Sequence, residues 1–136
     1  MKCFARILGI AVGAVFLIAG AMKAWNPAQF ASDVQNYRLL TWTSVVMVAL
    51  YLPWLEIVSG AALVFGIARR GSIAICTGLM LVFIGALISA KLRGLDIDCG
   101  CFGHTGPHGI TWPLLRDALL LAALLFLLFR ETRAPR

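Results

Sequence analysis

Apolar residues fall into four long runs separated by short polar stretches. The first, Ile7 to Ala24, reads ILGIAVGAVFLIAGAMKA and holds one charge, Lys23. At 1.5 Å per residue it makes a helix of about 27 Å, close to the roughly 30 Å hydrocarbon core of a bilayer. Trp25 follows as an interfacial anchor. Lys2 and Arg6 ahead of the run, with Ala19, Gly20 and Ala21 inside it, also fit a secretory leader, but the run reaches past that cleavage site and favours a span. The second run, Trp42 to Ala68, encloses Pro53 and Glu56 and ends at Arg69 and Arg70. Pro53 predicts a kink and a freed backbone carbonyl. The third run is Ser72 to Ala90, ended by Lys91 and Arg93, and the fourth is Trp112 to Phe129, followed by the basic tail RETRAPR.

Two connections carry further pattern. Residues 26–41, NPAQFASDVQNYRLLT, place Phe30, Val34 and Tyr37 at helical spacing, which predicts a short amphipathic helix at the interface. Residues 91–112 are polar and rich in glycine. The expectation is a single all-α domain over 1–136: a four-transmembrane-helix bundle with spans near 7–24, 42–68, 72–90 and 112–129. Gly9, Gly13 and Gly20 permit close helix approach, within the bundle or between copies.

Composition sharpens this picture. The chain is 61% hydrophobic and 13% charged, against about 45–50% and about 25% for soluble domains. A chain of this size in water could not hide so much apolar surface, because small domains keep a large share of their surface wet. The net charge of +6 admits nucleic acid as a partner in principle. The Lys and Arg residues, however, sit at the edges of the apolar runs, so a lipid bilayer is the expected partner and nucleic acid is not.

Four spans put both termini on one side. That side collects Lys2, Arg6, Arg69, Arg70, Arg130, Arg133 and Arg136, seven positive residues, against five (Lys23, Arg38, Lys91, Arg93, Arg116) on the other. The positive-inside rule then favours cytoplasmic termini and puts the loop 91–111 outside the cytoplasm, where thiols can be oxidised. Cys3 and Cys76 fall at or near the cytoplasmic face and are poor partners for that loop.

The most specific chemistry lies in Asp98-Cys99-Gly100-Cys101-Phe102-Gly103. A disulfide between residues two apart is tight, since the Cα atoms must approach to about 4.4–6.8 Å, and Gly100 relieves the backbone. So short a loop stabilises a fold little, whereas a strained, exposed disulfide is easily reduced and suits redox exchange. Lys91 and Arg93 favour the thiolate while Asp96 and Asp98 oppose it. Two alternatives stay open: thiols with no shared task, and a metal site of Cys99, Cys101, His104 and His108, whose spacing matches no familiar zinc pattern.

Glu56 lies deep in the second run, where an ionised group costs at least about 2.5 kcal/mol on insertion scales. It reads as a proton relay, as a polar contact to a quinone-like electron acceptor, or as a structural group that caps the carbonyl freed by Pro53 or pairs with Arg116. Arg116 and Asp117 stand about one turn into the fourth run. Their plain reading is an interfacial network with Lys23. Their functional reading is that Arg116 supplies positive potential beside the thiols.

These residues together resemble the MauE/DoxX group of redox-associated membrane proteins. The resemblance rests on Gly20…Lys23 with Pro27…Phe30; on Leu52-Pro53-Trp54-Leu55-Glu56; on Arg93-Gly94 followed by Cys99-Gly100-Cys101-Phe102-Gly103; and on Arg116-Asp117. It implies a four-helix architecture akin to disulfide-forming proteins of the DsbB and vitamin K epoxide reductase type, set in the bacterial inner membrane with the cysteine loop in the periplasm. It implies a role in periplasmic disulfide formation or protein maturation, such as that of the disulfide-rich small subunit of methylamine dehydrogenase. The site residues would be Cys99, Cys101, Glu56 and Arg116. The DsbB-type relay uses two outer cysteine pairs and this chain offers one. A thioredoxin-like or disulfide-containing partner, or a direct handoff to a quinone, is therefore implied. The competing expectations are a metal carrier using the Cys/His loop and a non-catalytic subunit of a membrane complex.

Overall fold

The computed structural model describes residues 2–94 and 111–133. These form five helices: α1 (Lys2–Trp25), α2 (Pro27–Asn36), α3 (Trp42–Phe65), α4 (Arg69–Leu92) and α5 (Thr111–Arg133).

Local chemistry sets the boundaries. Asn26 caps α2 by accepting from the Gln29 amide at 3.2 Å, and Pro27 occupies the first turn, where its missing N–H costs nothing. Gly66, at φ +74°, ends α3 in the left-handed region, with its amide and that of Ile67 both returning to the Ala62 carbonyl. The second helix of the expected bundle therefore stops at Phe65 rather than Ala68. Arg69 and Arg70 open α4 instead of closing α3. The helices α1 and α5 outrun their apolar stretches to Lys2 and Arg133. Backbone hydrogen bonding continues there while the long basic side chains reach outward. Helix α3 runs through Pro53 to Phe65 without a break.

The four long helices pack in a closed cycle, α1 on α3, α3 on α4, α4 on α5 and α5 on α1, with α2 laid against α3 and α1. The α1–α3 seam is the closest. A Cβ placed on Gly13 would stand 2.8 Å from the Gly60 carbonyl, and one on Gly20 would stand 2.8 Å from the Pro53 carbonyl. The two backbones thus touch through small residues, the arrangement expected where lipid supplies no hydrophobic drive between helices. Gly13 and Gly20 are spent inside the chain's own bundle. Gly9, by contrast, would meet Arg69 only at ordinary contact distance. The core between the helices contains Phe16, Leu63, Ile73, Cys76, Leu124 and Leu127.

Large apolar residues such as Ile7, Ile18, Trp54, Val58, Val82 and Leu119 face outward. An apolar exterior of this extent belongs against lipid. Among the described residues, α1, α3 and α4 are long and apolar enough to cross a membrane, and the chain is a multi-pass membrane protein. Helix α5 is of similar length but carries Arg116, Asp117, Arg130, Glu131 and Arg133.

The predicted short helix over 26–41 is present as α2. Phe30 is buried and joins Val45 and Ala49 of α3 in a small core, with Val34 against it. The amphipathic face packs inward on the bundle.

Candidate functional site

The α1–α3 seam fixes the register of two charged residues. One turn beyond Gly20, Lys23 meets Glu56, which lies one turn past Pro53. The Lys23 Nζ donates to both carboxylate oxygens of Glu56, at 2.7 and 2.9 Å. Each side chain is only 1% exposed. Glu56 therefore does not cap the carbonyl freed by Pro53 and does not pair with Arg116. The reason is the interhelical register, which brings Lys23 to it first. Lys23, read from the sequence as a near-interface charge, is drawn inside instead. Its ammonium lies 4.4 Å from the ring centroid of Phe83 and 5.3 Å from that of Phe30, so two aromatic faces complete its surroundings.

Arg116 and Asp117 form a second pair at the start of α5. The Arg116 Nε and Nη2 both donate to Asp117 Oδ1, at 3.0 and 2.8 Å. Asp117 is buried and Arg116 partly so. The two pairs share one small cavity of about 20 Å³, lined by Lys23, Glu56, Arg116 and Asp117 and by apolar residues including Phe16, Ala19 and Met80. The expected network of Lys23 with the α5 charges thus takes the form of a common cavity, not a direct bond.

A larger cavity of about 320 Å³ lies between α2, α3 and α4. Phe30, Val34, Tyr37, Leu52 and Phe83 are among its lining residues. It shares Phe30 and Phe83 with the surroundings of Lys23, so the same two rings separate an apolar chamber from a buried cation.

Cys99, Cys101, His104 and His108 lie outside the described residues. Their flanks do not. Leu114 at the start of α5 packs on Leu87 and Ala90 near the end of α4, together with Tyr37. Gly94 and Thr111 therefore lie at one end of the bundle, the end that also holds Lys23. Arg93 holds the end of α4 in place: its Nη1 donates to the Tyr37 carbonyl at 2.9 Å and its Nη2 to the Arg38 carbonyl at 3.4 Å. Of the other cysteines, Cys3 is exposed and Cys76 is buried in the core, both with free thiols. Among the described residues no group of three His, Cys, Asp or Glu could hold a metal ion.

Lys23 and Asp117 were not among the site residues that the sequence singled out. The signal for Lys23 is the buried stripe of α1, in which Gly9, Val12, Gly13, Phe16, Ala19, Gly20 and Lys23 recur at helical spacing. A lysine that continues such a stripe points inward.

Comparison with known proteins decides the family. Residues 1–130 match the family model for methylamine utilisation protein MauE. The chain belongs to the MauE family. It is 33% identical over 118 residues to the methylamine utilization protein MauE of Paracoccus denitrificans, covering 86% of this chain and 63% of that protein. It is likewise 33% identical over 114 residues to the MauE of Methylorubrum extorquens, covering 80% and 61%. For the MauE of Paracoccus versutus the figures are 32% over 113 residues, 82% and 61%. The chain thus spans a little over three-fifths of the length of these MauE proteins. No solved structure matches it. The MauE match reaches from α1 into α5, so its range takes in the positions of Lys23, Glu56, Cys99, Cys101, Arg116 and Asp117.

Proposed function

We propose that this MauE-family chain is a membrane thiol–disulfide redox protein that assists disulfide formation or maturation of a periplasmic partner in methylamine utilisation. In this reading α5 is a fourth span, as in the DoxX, DsbB and vitamin K epoxide reductase architectures. Both termini are cytoplasmic in the inner membrane, and the Cys99-Gly100-Cys101 segment is periplasmic. The observation that carries the reading is the position of that segment's two flanks, Gly94 and Thr111, at the end of the bundle that also holds the buried Lys23, Glu56, Arg116 and Asp117.

The chemistry is thiol–disulfide exchange. A client thiolate attacks one sulfur of the Cys99–Cys101 disulfide, forming a mixed disulfide and releasing the other cysteine as thiolate. A second client thiolate then displaces the first cysteine, so the client gains a disulfide and the pair gains two electrons. Arg116 supplies positive potential at this end of the bundle, which favours thiolate. Glu56, held by Lys23, fixes α1 against α3 beneath the reacting segment. A lipid-soluble quinone suits the role of electron acceptor. The 320 Å³ cavity is of ligand size, is lined almost wholly by apolar residues, and lies inside the membrane-spanning part. Such a group, when bound, would take up two electrons and two protons for each disulfide made.

Replacement of both Cys99 and Cys101 by serine in the full chain tests the reading. Client disulfides, counted by alkylation and mass shift, should fall to the level seen without the protein, while the chain still inserts in the membrane. Unchanged client disulfides would refute the redox role. Labelling of Cys99 and Cys101 by an impermeant maleimide on intact cells should succeed after reduction. Labelling only after lysis would refute the topology.

A further inference from the structure

The end of the bundle opposite Lys23 gathers an excess of positive charge. A cleft of about 340 Å³ opens there, where α1 begins, α4 begins and α5 ends. Lys2 and Arg6 from α1, Arg69 from α4 and Arg130 from α5 line it, and Glu131 is the one carboxylate in that lining. The formal charge of the lining is therefore four positive against one negative. Glu131 is also shared: Arg69 Nε stands 2.9 Å from one of its oxygens and Arg70 Nε 3.9 Å from the other. Among the described residues the remaining carboxylates are elsewhere, Glu56 and Asp117 beside Lys23 and Asp33 on α2.

Local geometry makes the excess costly. Lys2 and Arg6 are four apart on α1, so two like charges are neighbours on one helix face. Lys2, Arg69 and Arg70 occupy the first turns of α1 and α4, which hold no acidic residue. The dipole of each helix favours negative charge at that end. Arg69 is held in place, because its Nη2 donates to the Ala5 carbonyl at 2.9 Å. An anion in the cleft offsets both the repulsion and the dipole.

A second feature selects the kind of anion. A shallow groove of about 400 Å³ runs along α5 beside the cleft, lined by Leu125, Phe126, Phe129, Arg130 and Arg133. Its three apolar residues are exposed on the outside of the bundle. Arg130 lines both groove and cleft. A soluble anion would use the cleft alone. A molecule with a charged head and an apolar tail fills both, with Arg130 at the junction. The cleft stands just ahead of the apolar run that starts at Ile7, the level at which lipid headgroups lie. Basic pockets between membrane helices suit anionic headgroups.

We propose that cleft and groove form a binding site for one anionic phospholipid, its phosphate among Lys2, Arg6, Arg69 and Arg130 and an acyl chain along Leu125, Phe126 and Phe129. The lipid ties α1, α4 and α5 together where their own charges repel. A zwitterionic lipid fits less well, because its cation adds to the excess. The site stands independently of the cysteine chemistry.

Native mass spectrometry of the full chain released from a neutral detergent, with phosphatidylglycerol or phosphatidylcholine added, tests it. One phosphatidylglycerol should stay bound at concentrations where phosphatidylcholine does not. Lys2→Gln and Arg6→Gln should each weaken its binding about fivefold. Arg38→Gln, which removes a positive charge at the opposite end, should leave binding unchanged. Leu125→Gln, in the groove, should weaken binding, and excess inorganic phosphate should not displace the lipid. Equal retention of the two lipids, or a loss no greater in Arg6→Gln than in Arg38→Gln, would overturn the proposal. So would unaltered binding in Leu125→Gln or displacement by phosphate, either of which would mark a site for a soluble anion.

Discussion

The two ends of the bundle hold their charges in opposite ways. Where α1 begins, α4 begins and α5 ends, Arg69 Nε stands 2.9 Å from Glu131 Oε1 and Arg70 Nε stands 3.9 Å from Glu131 Oε2. Arg69 also donates to the Ala5 carbonyl at 2.9 Å. These side chains are a quarter to a half exposed. At the other end Lys23 and Glu56 are sealed under two phenyl rings. The first group has an alternative partner in water or headgroups at every moment. The second has only itself. Similar distances therefore describe interactions of different weight: a reversible tie between helix ends in one place, and a commitment of the fold in the other.

The largest effect should follow from breaking the sealed pair. Lys23→Met leaves Glu56 without its cation and should lower stability in micelles by about 3–5 kcal/mol. The Lys23→Met, Glu56→Met double variant should regain most of that loss, because no charge is stranded. A Lys23→Met protein that unfolds at the same denaturant concentration as the parent would erase the contrast. A middle effect should follow from the seam that sets the pair. Gly60→Val would bring a side chain to 2.8 Å from the Gly13 carbonyl and 2.9 Å from the Leu17 amide, an overpacking that should cost about 1–3 kcal/mol. Gly71, with open space around it, is the control, and Gly71→Ala should unfold with the parent. The smallest effect belongs to the exposed end. Glu131→Gln should change stability by about 0–1 kcal/mol and should lose even that in high salt. A change as large as that of Lys23→Met would show that both ends are equally committed.

Much of the fold is legible because lipid makes hydropathy a direct measure of which residues leave water. The four apolar runs became α1, α3, α4 and α5, and the helical spacing of Phe30, Val34 and Tyr37 marked α2. The ends of the helices are less legible. Hydropathy stops where charges start, but backbone hydrogen bonds carry α1 back to Lys2 and α5 on to Arg133. Conversely α3 stops inside an apolar run, because Gly66 takes a left-handed turn that only local backbone chemistry explains. Within the site, the depth of Glu56 showed that it needs a partner. The identity of the partner depends on rotation and register between helices 33 residues apart in sequence, which hydropathy does not encode. The glycines that set that register were visible, but whether they served this bundle or another copy was not.

Arg93, at the end of α4, is tied to the elbow between α2 and α3 by two hydrogen bonds. A pull on the chain at Gly94 is borne first by that elbow. The next rigid body along is α2, and its anchor in the bundle is Phe30, one of the rings resting on Lys23. A mechanical linkage thus runs from the periphery to the innermost cation with few joints in which slack can collect.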